Sequence, residues 1–162
     1  DIAGIGKADI NGIVDSFLNK LREVTGLSDN KMSSVPLAVV IGKIDSAGLI
    51  AEIGDSAVRS KMASDPERFN DYYDTQDYLC RRFLYENGME SFLNNVDLKF
   101  KENRFFACSA IGHTRDHGQY NPQGVMAPMQ WLFGKADPKM AQVWNDFKFN
   151  KKVTKMEENM TA

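Results

Sequence analysis

Two short apolar runs set the possible folds of this chain. The first is Leu37-Ala38-Val39-Val40-Ile41, entered through Pro36. The second is Phe105-Phe106-Ala107-Cys108, within Arg104–Ser109. Neither alternates apolar with polar residues, so each reads as a strand covered on both faces, the pattern of a parallel sheet. Each run ends in a small polar turn, Gly42-Lys43-Ile44-Asp45 in one case and Ser109-Ala110-Ile111-Gly112 in the other. Helical sequence fills the interval, which is far longer than the crossover of about a dozen residues that a parallel pair needs. The expectation is therefore an α/β fold, a partial parallel sheet flanked by helices, with the two strands neighbouring and parallel. Ligands of open α/β sheets bind just beyond the carboxyl ends of the strands. Lys43, Asp45 and the turn at Ser109 and Ala110 occupy that position.

The rest of the chain arranges itself around these runs. Residues 1–8 read as a leader. A helix fits Asp9 to Thr25, where Ile10, Ile13, Val14, Phe17, Leu18 and Leu21 form one apolar stripe and Gly26 supplies a stop. After the first strand, Asp45 or Ser46 can cap a helix carrying Leu49, Ile50 and Ile53, and residues 55–64 continue as another. Pro66 suits the first turn of a helix running from Glu67 to Tyr85, with Tyr78, Leu79, Phe83 and Leu84 as core contacts. Asn87-Gly88 ends it, and a shorter helix covers Met89 to Val96. Beyond the second strand, residues 112–123 form a polar loop on the ligand side of the sheet. A last helix starts near Val125, and a further helical piece spans Pro138 to Phe147. Three regions follow: the leader, an α/β region over 9–135, and a helical extension with a polar tail over 136–162.

Composition narrows the function. The apolar fraction of 43% supports a core, and a net charge of -2 argues against a general nucleic-acid surface. No run approaches membrane-spanning length and no signal peptide is visible. Cys80 and Cys108 read as buried, inert thiols, which fits a reducing, cytoplasmic location. The chain opens on Asp1 rather than Met, which suggests a fragment.

The two turns carry a resemblance. Gly42-Lys43-Ile44-Asp45 resembles the guanine-recognition motif of P-loop GTPases, usually Asn/Thr-Lys-x-Asp, and Ser109-Ala110-Ile111-Gly112 resembles their later Ser-Ala motif. The stretch Gly124-Val125-Met126-Ala127-Pro128-Met129-Gln130-Trp131-Leu132 is similar to the last helix of bacterial double-GTPase domains. The resemblance covers most of residues 10–135 and implies the second, C-terminal half of a P-loop GTPase-like fold. It implies guanine-binding roles for Lys43, Asp45, Ser109 and Ala110. The Asp45 carboxylate would accept from the guanine N1–H and 2-amino group, a strong bidentate pair. The Lys43 stem would lie over the base. The Ala110 N–H would donate to O6, and Ser109 would hold the turn. GTP or GDP is the implied ligand.

Two departures shape the expected function. Gly42 stands where Asn or Thr is usual, and no Gly-x-x-x-x-Gly-Lys-Ser/Thr occurs in the chain. Without that loop there is no phosphate cradle and no hydroxyl for Mg²⁺, so Mg²⁺ is implied only if such a loop lies upstream. This chain alone is not expected to hydrolyse GTP. The leading expectation is the guanine-recognising half of a nucleotide-binding domain. The alternative is a nucleotide-free GTPase-like module acting as a protein-interaction scaffold. In a plainer reading of the turn, Asp45 caps the following helix and Lys43 is solvated. Both histidines, His113 and His117, lie in a Gly- and Pro-containing loop, which favours simple polarity over metal binding. A half-sheet also leaves one face or edge bare, so self-association is expected, by strand pairing or by exchange of a segment with a second copy.

Overall fold

Residues Leu37–Ile41 form one strand and Asn103–Ala107 another, and the two pair in parallel as a two-stranded sheet. Val39 lies opposite Phe105 and Ile41 opposite Ala107. Chain order is α1 (Lys7–Thr25), β1 (Leu37–Ile41), α2 (Ile50–Ile53), α3 (Asp55–Ser64), α4 (Tyr72–Glu86), α5 (Glu90–Lys99), β2 (Asn103–Ala107) and α6 (Ala127–Ala136). The computed structural model describes residues 7–28, 31–45, 48–112, 120–137, 139, 140 and 142. The chain divides into two compact units, Asp1–Val125 and Met126–Ala162. The first holds the sheet and α1 to α5. The second holds α6, with Pro128 in its first turn, where a missing N–H costs nothing.

The expected neighbouring parallel strands are present, with their polar ends on one side. Helices α2 to α5 make the crossover, and α4 lies against β2. On one face of the sheet, Leu37, Val39 and Ile41 join Phe105 and Ala107 against Ile53, Val58, Leu79 and Val96. Coverage on the other face is uneven. Phe106 is buried there and meets the Tyr73 ring of α4 at a centroid distance of 6.3 Å. Val40, opposite Phe106 on β1, is 45% exposed. The apolar run of β1 thus overstated its burial: Tyr73 covers β2, the strand that α4 packs on, and Val40 lies one strand further out.

Helix α1 forms two residues earlier than its stripe requires. Leu18 is buried, whereas Ile13 and Phe17 are largely exposed, Phe17 stacking on the Phe100 ring at 6.2 Å. The helix is tied to α5 by the Lys99 ammonium, which donates to the Asp15 carboxylate, and by Asn95. Gly26 ends it at φ 66°, its N–H donating to the Arg22 carbonyl at 2.8 Å.

Helix α4 starts later than Pro66 suggests. Residues 65–69 form a separate turn, in which the Phe69 N–H donates to the Asp65 carbonyl at 2.9 Å. The cap is Asp71, whose carboxylate accepts from the N–H groups of Tyr73 at 2.8 Å and Asp74 at 2.9 Å. A side chain that satisfies two orphan donors outweighs a favourable proline position. Leu79, Phe83 and Leu84 are buried as expected, and Phe69 packs on Tyr78 with centroids 4.9 Å apart.

A polar cluster closes the outer edge of β2. The Phe105 N–H points away from β1 and donates to Asp77 Oδ1 at 2.7 Å. Arg81 Nε donates to Asp77 Oδ2 at 2.8 Å, and Arg81 forks onto both Asp97 oxygens at 3.1 Å. Its guanidinium also donates to Asn103 and lies 4.5 Å from the centroid of the Phe105 ring. Cys80, beneath this cluster, is fully buried, and burial pushes its thiol up to about 12. Cys108 is half-buried and lies one residue beyond β2 rather than inside it, and burial raises its thiol as well.

Two outcomes follow from these contacts. Asp77→Ala removes the acceptor of a strand N–H and an Arg81 partner, and should lower stability by about 1–3 kcal/mol in urea unfolding. The Lys99 ammonium, hydrogen-bonded to Asp15, holds that carboxyl below its ordinary value. A depressed folded value adds stability that is full above the unfolded value of about 3.9 and is lost as pH falls through the folded one. The stability difference between the natural chain and Asp15→Asn should therefore shrink between about pH 5 and about pH 2, read from thermal midpoints.

Candidate functional site

The carboxyl ends of β1 and β2 turn toward one another and are stitched together. From Ile41 the chain passes through Gly42 into Lys43, which adopts φ 55°, a left-handed backbone uncommon outside glycine. Among the described residues Lys43 alone combines a side chain with positive φ. Ile44 then drops into the core, 1% exposed. Its N–H donates to the Cys108 carbonyl at 3.4 Å, and its carbonyl accepts from the Ile50 N–H at 3.2 Å. The Cys108 N–H in turn donates to the Ile41 carbonyl at 2.9 Å. With Ile44 anchored on both sides, Lys43 stays at the surface and Asp45 sits half-buried.

Ser109 is the centre of the arrangement. It is completely buried. Its N–H and carbonyl exchange bonds with Gln123, at 3.0 and 2.9 Å, so the returning chain forms an antiparallel bridge at the end of β2. Its hydroxyl oxygen accepts from the Gly112 N–H at 2.8 Å, and its proton goes to Asp45 Oδ1. One hydroxyl thus uses its donor and an acceptor position to join the two strand ends. A carboxylate oxygen that accepts one such bond still carries a further lone pair.

The turn leaves no room for larger residues at two glycines. Gly112 has φ 86°, and a Cβ there would lie 1.8 Å from the Asn121 carbonyl oxygen. Gly124 has φ 66°, and a Cβ would lie 2.4 Å from the Ala107 oxygen. Both glycines permit the close approach by which the segment 120–124 returns to the strand end. Ala110 and Ile111 stand exposed at the tip.

All four residues singled out from the sequence, Lys43, Asp45, Ser109 and Ala110, therefore belong to one patch beyond the carboxyl ends of the sheet. The helix-cap role for Asp45 does not hold. Helix α2 starts only at Ile50, behind an N-cap Leu49 that makes no side-chain capping bond, while Asp45 accepts from Ser109. A helix this short and this far along the chain is out of reach of a residue-45 cap. Sequence reasoning missed Gln123 and Gly124, which support Ser109 from behind. The pair of glycines flanking the polar loop was the signal for that closure. His113 and His117 lie outside the described residues. Among the described residues no group of three His, Cys, Asp or Glu side chains could hold a metal, and no helix is long and apolar enough to cross a membrane.

No family model, curated protein or solved structure matches this chain.

Ser109→Ala removes the bond to Asp45 and the acceptor of the Gly112 N–H at a fully buried position. It should cost about 1–3 kcal/mol in denaturant unfolding. In heteronuclear NMR spectra the amide signals of residues 43–45 and 110–112 should move, while those of α5 stay in place.

Proposed function

We propose that this chain carries the guanine-recognising part of a GTPase-like nucleotide-binding domain. The observation that supports the reading most is the hydrogen bond from Ser109 to Asp45. It orients a carboxylate at the carboxyl edge of a parallel pair, where α/β sheets place ligands, beside a backbone turn rich in small residues. A pre-oriented carboxylate recognises a donor pair such as guanine N1–H and N2–H at little entropic cost. The left-handed Lys43 is a second support, because strained backbone of this kind clusters at binding sites. In this reading Lys43 lies along the base, Asp45 selects guanine, and the Ala110 N–H serves O6. Phosphate binding and hydrolysis are not functions of the residues present, since the sequence holds no Gly-x-x-x-x-Gly-Lys-Ser/Thr.

A scaffold that binds no nucleotide is the second reading. Gly42 favours it, as does the exposed Val40 beside the site, a surface suited to protein contact.

Titration of the isotope-labelled chain with GDP, ADP and xanthosine diphosphate separates the two readings. GDP should shift the amides of Lys43, Asp45 and Ala110, weakly in the absence of a phosphate loop, and ADP should not. Asp45→Asn should weaken the guanine response by about 2–4 kcal/mol and transfer it to the xanthine nucleotide, whose exocyclic 2-oxygen accepts from the new amide. Equal responses to ADP and GDP, or a GDP response unchanged in Asp45→Asn, would reject the guanine reading.

A further inference from the structure

The fold treats the two edges of its sheet differently. In a parallel pair, alternate residues turn their backbone groups toward the partner strand and the others turn them away. The Leu37 N–H donates to the Glu102 carbonyl at 2.9 Å, and the Ile41 carbonyl accepts from the Cys108 N–H at 2.9 Å. Leu37, Val39 and Ile41 therefore face β2, and Ala38 and Val40 turn N–H and C=O to the opposite edge. On β2 the outward N–H of Phe105 is met by Asp77, and Ser109, just past the strand, is met by Gln123. Among the described residues no strand lies along the outer edge of β1.

That edge is also unguarded. No Asp, Glu, Lys or Arg occurs from Ser33 to Gly42, and Val40 is 45% exposed. Exposed edges are ordinarily protected by charges, bulges or covering elements. Among the described residues Pro36, at the start of the strand, is such a device. An apolar edge whose outward N–H and C=O groups meet no strand among the described residues has the chemistry to accept another extended strand.

We infer that this edge pairs with the same edge of a second copy of the chain, antiparallel, about a two-fold axis through Val39. The strand is self-complementary in that register. Ala38 of one copy faces Val40 of the other, and each such pair exchanges both of its N–H···O bonds. The Pro36 carbonyl, which has no N–H beside it, receives the Gly42 N–H of the other copy. Val40 packs beside the small Ala38 on the face away from the core, which covers the valine that α4 leaves open. The two Lys43 residues lie at opposite ends of the seam, whereas a parallel pairing would set them side by side. A two-fold contact closes on itself, so association stops at the dimer. With one short strand contributed by each copy, the dimer forms reversibly.

Sedimentation velocity of the 162-residue chain, run over a wide concentration series, reads the association, and amide hydrogen exchange reads the seam. The expected result is a monomer–dimer equilibrium in which exchange at Ala38 and Val40 slows by about tenfold or more as the dimer fills. Leu37, Val39 and Ile41 should be slow at every concentration. Val40→Lys places a charge on the edge without touching the bonds to β2, and should weaken the dimer by about tenfold or more, while Val40→Thr retains it. A monomer at all concentrations would overturn the inference. So would a dimer in which the Ala38 and Val40 amides exchange as fast as in the monomer, or a dimer that Val40→Lys leaves intact. Slow exchange at both amides in the monomer would overturn it too, because the chain would then be covering its own edge.

Discussion

The parallel pairing of β1 and β2 is the constraint on which the first unit of this protein depends. Parallel strands cannot be joined by a tight turn, so the chain must travel from one end of the sheet back to the other. Helices α2 to α5 are that return path, and their apolar faces supply most of the core that buries Phe105 and Ala107. The same pairing brings two chain reversals, after Ile41 and after Ala107, to one end of the sheet. The juxtaposition of Asp45 and Ser109 is a consequence of strand direction.

The two strands are not equivalent. β2 is buried on both faces, and its outer edge is answered by Asp77, which Arg81 holds in place from one helical turn further along α4. Arg81 in turn reaches Asp97 on α5 and lies over the Phe105 ring, so one guanidinium connects two helices and a strand. β1 has α-helical cover on one face and an exposed valine on the other. Stability is therefore concentrated on the β2 side, and the surface available for contact lies on the β1 side.

At the carboxyl end, rigidity comes from small residues and from a buried hydroxyl. Ser109 holds Asp45, Gln123 holds Ser109, and Gly124 allows the returning chain to lie against Ala107 without a Cβ in the way. Ile44 pins the other turn from below and leaves Lys43 in a left-handed conformation at the surface. The Asp45 carboxylate, held by the buried Ser109 hydroxyl, keeps little conformational freedom of its own.

Much of this was legible in the sequence, because apolar runs, caps and glycines act locally. The unbroken apolarity of residues 37–41 and 105–108 determined two strands, their long separation determined that they run parallel, and Asn87-Gly88 and Gly26 determined helix ends. Lys43, Asp45, Ser109 and Ala110 could be marked as one patch for the same reason, since strand direction alone carries them to one end. What tertiary structure decided involves partners distant in the chain. The role of Asp45 depended on a hydroxyl 64 positions away, that of the buried Ser109. The burial of Val40 depended on how far across the sheet Tyr73 could reach. Periodicity records which residues avoid water, but it does not record which helix comes to cover them.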